Sequence, residues 1–177
     1  GKIDGEFCIL GLFSSTAYSH PPRTIPLLSR KVKEVLDGAQ LLPNSHSGKV
    51  LLNILDTIPR DALFQISSDD LLEISLGILG LQERQRTRIF VFGDTFGRFY
   101  SCLVYIPRER YNRELRIRVQ KVLVEAFSGT EVEFSAHFSE SILARMHFIV
   151  HTTTAGAAYG LDRDELERRI VEASQTW

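Results

Sequence analysis

Residues 83–112, ERQRTRIFVFGDTFGRFYSCLVYIPRERYN, restrict the folds open to this chain more than any other stretch. Two runs rich in β-branched and aromatic residues, RIFVF and RFYSCLVYI, flank the turn-forming GDTFG. Those side chains fit a pleated, half-buried surface, so the runs with their bounding glycines predict a β-hairpin. Pro107 then opens a charged helical stretch. A hairpin running straight into a helix predicts an α+β sandwich. No group of residues in the stretch has the make-up of a catalytic centre.

Periodicity extends that reading in both directions. Residues 6–13, EFCILGLF, predict a short buried first strand, and Pro21 and Pro22 make residues 14–23 a loop. Within residues 25–42, Leu28, Val32, Val35 and Leu36 share one helical face, with Pro26 in the first turn. Ser47 is the expected N-cap of the next helix, whose stripe is Val50, Leu51, Ile54, Leu55 and Ile58 and which Pro59 ends. Ser67 with Asp70 predicts a capping-box start for a buried helix reaching about residue 81. Residues 108–128 put Tyr111, Leu115, Val119, Val122, Leu123 and Phe127 on one face, with Gly129 as a left-handed stop. EVEFSAHF alternates, turning Val132, Phe134, Ala136 and Phe138 inward, and residues 144–150 predict a strand with Met146, Phe148 and Val150 on one side. Asp162 to Glu165 caps a last helix carrying Leu166, Ile170, Ala173 and Trp177.

The resulting order is strand, helices, strand, strand, helix, strand, with a further strand and helix appended. It predicts an α+β fold: a ferredoxin-like antiparallel sheet with a multi-helix insertion, about residues 25–81, after the first strand. The first and third strands are neighbours in that topology, which sets the strand of Cys8 beside that of Cys102. Residues 1–151 are expected to form the domain, with 152–177 a linker and C-terminal helix leading to the next one.

Composition excludes several function classes. A net charge of −1 offers no global attraction to nucleic acid or anionic lipid. The longest strongly apolar run, ISLGILGL, falls well short of the roughly 20 residues a membrane span needs. Cys8 and Cys102 are too few for a disulfide scaffold and are expected to be reduced thiols in the cytoplasm. With neither an initiator Met nor a signal pattern, the chain reads as cut from a longer polypeptide.

Each motif has a plain structural reading beside its functional one. HSGKV fails as a phosphate loop, since Pro43 stands where Gly is needed and Val50 where Ser or Thr is needed. GDTFGR lies between two strands, and a hairpin turn explains its glycines better than a dinucleotide fingerprint does. His137, His147 and His151 fall on one side of two adjacent strands with Glu131 and Glu133, the arrangement of a metal site or, more simply, of a solvated sheet face. Arg84, Arg86, Arg88, Arg108, Arg110, Arg113, Arg116 and Arg118 form a basic stretch interleaved with Glu109 and Glu114, and Glu114 is spaced to pair with Arg118. An RNA platform would need Phe99 and Tyr100 exposed, whereas their strand is apolar on both faces. Ser14, Ser15, Ser45, Ser47 and Ser67 sit among turn formers with no nucleophile elbow. Both cysteines lie in apolar strands, where the neutral thiol is expected.

Five blocks, FCILGLFSSTAY, IPLLSRKVKEVL, GKVLLNILDTIPRDALFQIS, GILGLQERQRTRIFVFGDTFGRFYSCLVYIPRERYN and ESILARMHFIV, occur in order and nearly without gaps. Together they resemble the N-terminal segment of large bacterial NAD-specific glutamate dehydrogenases, over residues 6–151. In that family the segment consists of ACT-like and PAS-like modules with helical connectors, and ACT-like units share the ferredoxin-like order. The resemblance implies a noncatalytic regulatory or assembly domain, the alternatives being a purely structural oligomerisation module without ligand binding and, last, a stand-alone nucleic-acid-binding domain. The parent enzyme would convert L-glutamate, water and NAD to 2-oxoglutarate, ammonia and NADH. It also implies that this segment holds no catalytic, cofactor or metal residue, NAD being bound elsewhere in the parent. The implied partners are other domains of the same polypeptide, further copies in a homo-oligomer and a small amino-acid effector, with neither nucleic acid nor membrane. The pattern is broken at Cys8 and at Phe92-Gly93, where relatives often carry arginine.

Overall fold

The computed structural model describes residues 10–81, 86–94, 96–139, 141–153 and 162–175. Within the expected loop, a short helix α1 (Ser15–Ser19) and a 3-10 turn (Pro22–Thr24) lead into four helices: α2 (Leu28–Ala39), α3 (His46–Thr57), α4 (Arg60–Gln65) and α5 (Ser68–Leu81). The hairpin of β1 (Arg88–Gly93) and β2 (Phe99–Pro107) comes next, then α6 (Arg113–Phe127), the hairpin of β3 (Gly129–Phe138) and β4 (Leu143–Thr152), and α7 (Arg163–Ser174).

The four strands form one antiparallel sheet in the order β1-β2-β4-β3. This is the ferredoxin-like α+β arrangement in circularly permuted form. Joining the ends of a βαββαβ unit and reopening it after the first helix yields ββαββα with this strand order. Among the described residues the sheet has these four strands, and the helices α2–α5 come ahead of all of them. The predicted first strand lies largely outside the described residues, as does Cys8. Residues 10–13 have no regular structure, and Leu10, Leu12 and Phe13 are exposed.

Alternation along the strands separates two cores. One face carries Tyr100, Cys102, Val104, Met146, Phe148 and Val150, which α6 and α7 cover with Leu115, Val119, Leu123, Phe127, Leu166 and Ile170. The opposite face sends Phe92, Leu103, Tyr105 and Leu143 into a core shared with α2, α3, α4 and α5. On α5, Gly77 admits Phe90, whose ring would lie 2.5 Å from an added Cβ. The sheet is thus a middle layer, with edge strand β3 the least covered.

Local differences from the sequence reading have physical causes. The cap of α3 is Ser45, not Ser47: its Oγ accepts from the Gly48 amide at 3.0 Å. The preceding turn rests on the helix at Gly48, where a Cβ would lie 2.1 Å from the Leu42 carbonyl oxygen. Gly48→Ala is accordingly expected to cost about 1–3 kcal/mol, despite alanine's better helix propensity, because backbone must move. Denaturant unfolding of the variant measures that loss.

Pro59 not only ends α3 but also serves as N-cap of α4, a helix absent from the sequence reading. Lys31 completes α4 by donating from Nζ to the carbonyls of Leu63, Phe64 and Ile66 at 3.0, 3.0 and 2.5 Å, which satisfies otherwise orphaned acceptors. Ser67 and Asp70 do form the anticipated pair, the Asp70 amide donating to Ser67 Oγ at 3.1 Å and Ser67 Oγ to the Asp70 carboxylate at 2.7 Å.

The left-handed stop of α6 is Ser128, with φ 50°, and Gly129 already belongs to β3. Glycine is needed there because a Cβ would meet the Val150 side chain at 2.5 Å. The N-cap of α6 is Asn112, whose Oδ1 accepts from the Leu115 amide at 2.8 Å. Asn112→Ala is expected to lower stability by about 1 kcal/mol, again read by denaturant unfolding.

Candidate binding cleft

On the face toward α2–α5, register aligns three polar side chains across adjacent strands. Arg145 of β4 stands opposite Tyr105 of β2 and His137 of β3. This row lies at the end of the sheet beneath the C-terminus of α3. A cleft of about 620 Å³ opens there, lined by Val50, Asn53 and Thr57 of α3, Ile78 of α5 and the sheet residues around Arg145.

Arg145 is only 8% exposed. It donates from Nη1 to the Thr57 carbonyl at 2.5 Å and is hydrogen-bonded to the Tyr105 hydroxyl. Its Nε is buried without a partner, and no carboxylate of the described residues pairs with it. The α3 C-terminus contributes partial negative charge, but not a full counter-charge. Burial of Tyr105 pushes its phenol up, an effect that the Arg145 charge and hydrogen bond oppose. On the other side, burial and the Arg145 charge hold His137 below the usual imidazole range.

The three candidate metal ligands do not converge. His147 is buried, its Nε2 2.6 Å from Ser101 Oγ, and burial with the Arg145 charge lowers its pKa to about 4, against weaker upward pulls from Asp61 and Glu133. His151 Nε2 instead lies 2.9 Å from Glu133 Oε1 at the surface. Among the described residues no group of three His, Cys, Asp or Glu is placed to hold a metal ion. The expectation of a solvated face fails at His147, because the helical layer covers β2 and β4; it holds along β3, where Glu131, Glu133 and His137 are exposed.

The other candidates have structural roles. Gly97, with φ 66°, turns the β1–β2 hairpin, and Asp94 accepts from Arg98 Nε at 2.8 Å. Tyr100 is buried and stacks on Phe127 at 4.7 Å between ring centres, so it offers no base platform. Arg118 does not make the anticipated pair with Glu114; its Nε donates to the Ala173 carbonyl at 3.0 Å, tying α6 to α7. Arg116 lies over the Phe134 ring, 4.9 Å from its centre. Burial raises the Cys102 thiol far above its ordinary range, leaving it neutral. Phe92 fills the helical-side core. No helix of the described residues is long and apolar enough to cross a membrane.

The sequence reading did not single out Arg145, Tyr105 or Thr57. A signal was present: in LARMHFIVHT, Arg145 shares its parity with His147 and His151. Alternation alone cannot distinguish a polar face open to water from one roofed by helices.

Comparison with known proteins assigns the two halves of the chain separately. Residues 88–177 match the family model described as glutamate dehydrogenase, ACT2 domain. Residues 25–84 match the model described as glutamate dehydrogenase, helical motif 1. Similar curated proteins include the NAD-specific glutamate dehydrogenases of Halomonas elongata, 43% identical over 100% of this chain, and of Pseudomonas aeruginosa, 37% identical over 100%. That of Mycobacterium tuberculosis is 37% identical over 99% of the chain. The chain spans only 11–12% of the length of these relatives. No solved structure matches it.

Proposed function

The chain belongs to the glutamate dehydrogenase ACT2 domain family, and from that premise we propose that it is a noncatalytic regulatory or assembly domain of a large NAD-dependent glutamate dehydrogenase. The carrying observation is coverage. Two family models take up most of the chain, from residue 25 onward, whereas about nine-tenths of each relative lies outside it. Conversion of L-glutamate, water and NAD to 2-oxoglutarate, ammonia and NADH would then be performed by another part of the parent protein, which holds the NAD. This domain's partners are the other domains of that polypeptide and further copies of it.

Two mechanisms fit. As a regulator, the domain binds a small effector, such as an amino acid, with unequal affinity in two states of the parent and so shifts their balance. As an assembly module, it pairs with a second copy through an exposed strand. The second reading is favoured by β3, a ten-residue edge strand whose outer side chains Glu131, Glu133 and His137 are exposed. Unpaired backbone groups along such an edge are a template for another strand.

Titration calorimetry of the chain with the common amino acids, alongside sedimentation equilibrium, separates the two mechanisms. Binding tighter than about 1 mM supports regulation. Absence of binding together with concentration-dependent dimerisation supports assembly. A monomer at all concentrations that binds neither an amino acid nor a simple carboxylate contradicts both.

A further inference from the structure

We propose that the Arg145 cleft binds a small organic carboxylate that carries no ammonium group, held between the helical layer and the sheet of a single chain. A buried guanidinium without a carboxylate partner is costly, because desolvation is not repaid by a counter-charge. Arg145 is such a group, and it lies against a cleft large enough for a small metabolite. A ligand carboxylate would supply the missing negative charge. Guanidinium and carboxylate are matched in geometry as well as charge.

The lining specifies the ligand further. Val50, Ile78, Ile142 and Leu143 place apolar surface beside Arg145, which suits a carbon skeleton better than bare phosphate. Asn53 and Ser141 add neutral hydrogen-bonding groups. No acidic side chain lines the cleft among the described residues. The nearest carboxylates felt at His147 are engaged elsewhere, Asp61 accepting from the Tyr18 hydroxyl at 3.0 Å and Glu133 lying against His151. An α-amino acid would bring an ammonium group beside Arg145, where no acidic side chain of the described residues lines the cleft to neutralise it. A plain, oxo- or hydroxy-carboxylate avoids that repulsion.

The inference rests on the regulatory reading for its biological meaning and narrows its effector to a carboxylate without an ammonium group, but binding at the cleft can be measured independently. The test is amide-resolved NMR titration of the chain with propionate, succinate, β-alanine and inorganic phosphate. Propionate and succinate are expected to shift the Thr57, Ser141 and Arg145 amides saturably, with β-alanine at least about tenfold weaker. Ile142→Glu places a carboxylate at the half-exposed mouth and is expected to weaken propionate at least about tenfold without disturbing the core. Arg145→Gln should abolish the response, and because Ile142→Glu lies at the surface, a folding defect in Arg145→Gln leaves the test intact.

Equal affinity for β-alanine and propionate would overturn the inference, as would preference for phosphate. No saturable shift at these amides below about 50 mM, or undiminished binding by Ile142→Glu, would do the same. A cleft silent to every probe removes the carboxylate site alone, since dimerisation seen by sedimentation would still uphold the assembly reading.

Discussion

Phe148→Ala is expected to lower the unfolding free energy by about 3–5 kcal/mol, a large share of the roughly 5–15 kcal/mol typical of a domain. Phe148 is fully buried on β4, opposite Cys102 of β2 and Phe134 of β3. Its ring lies 5.0 Å from that of Phe134, and it belongs to the core closed by Leu115, Val119, Leu123 and Phe127 of α6. Because β4 is hydrogen-bonded on both sides, neighbouring strands cannot collapse into the cavity without breaking the ladder. Both the lost transfer energy and the empty space should therefore count. Urea unfolding should show a lower midpoint with an unchanged slope. A loss below about 1 kcal/mol would mean that the core relaxes around the missing ring, contrary to the layered packing.

The second large effect is a dependence of stability on pH carried by His147. Its imidazole has a pKa of about 4 in the fold, against 6.5 ordinarily, because burial and the Arg145 charge oppose protonation. Below pH 6.5 the unfolded chain takes up a proton that the folded chain refuses. The contribution is therefore complete above 6.5 and is lost as pH falls toward 4. Integrated over that window, the loss is about 3 kcal/mol. Lowered carboxylates such as Asp94 add acid sensitivity of the same sign, so the comparison must be with a variant. His147→Gln can still hydrogen-bond Ser101 Oγ but does not titrate. Its stability should fall less than the parent's between about pH 7 and pH 4, by about 3 kcal/mol. Identical pH profiles would show that His147 takes up its proton in the fold as readily as in the unfolded chain.

Much of this architecture was legible because side-chain period and element type agree. The spacing of Leu28, Val32 and Val35, and of Leu115, Val119 and Leu123, predicted which helix faces are buried. Alternation in β3 and β4 likewise predicted the α6 side of the sheet, except that Phe138 is exposed at the end of its strand. The glycines were harder. Gly48 carried no signal of its own and Gly129 suggested a left-handed stop, whereas each makes room for a neighbour distant in space or turned back on the helix. The permuted order of the described strands was equally hidden, since side-chain alternation assigns a face to each strand but no neighbour. The cleft depends on Thr57, Tyr105, His137 and Arg145, which come from a helix and three strands. No local pattern marks such a site. Only the helical layer, laid over a face that alternation assigned to water, makes Arg145 a buried charge.

The central claim is that this domain supports chemistry performed elsewhere in a longer protein. Its most direct test removes the matching segment from the Halomonas elongata relative and tracks NADH formation from glutamate together with particle mass and effector response. A regulatory or assembly role predicts altered mass or effector response, with turnover per intact catalytic domain kept within about tenfold. Turnover abolished by many powers of ten, in a particle of unchanged mass and unchanged effector response, would instead place catalytic groups in this segment.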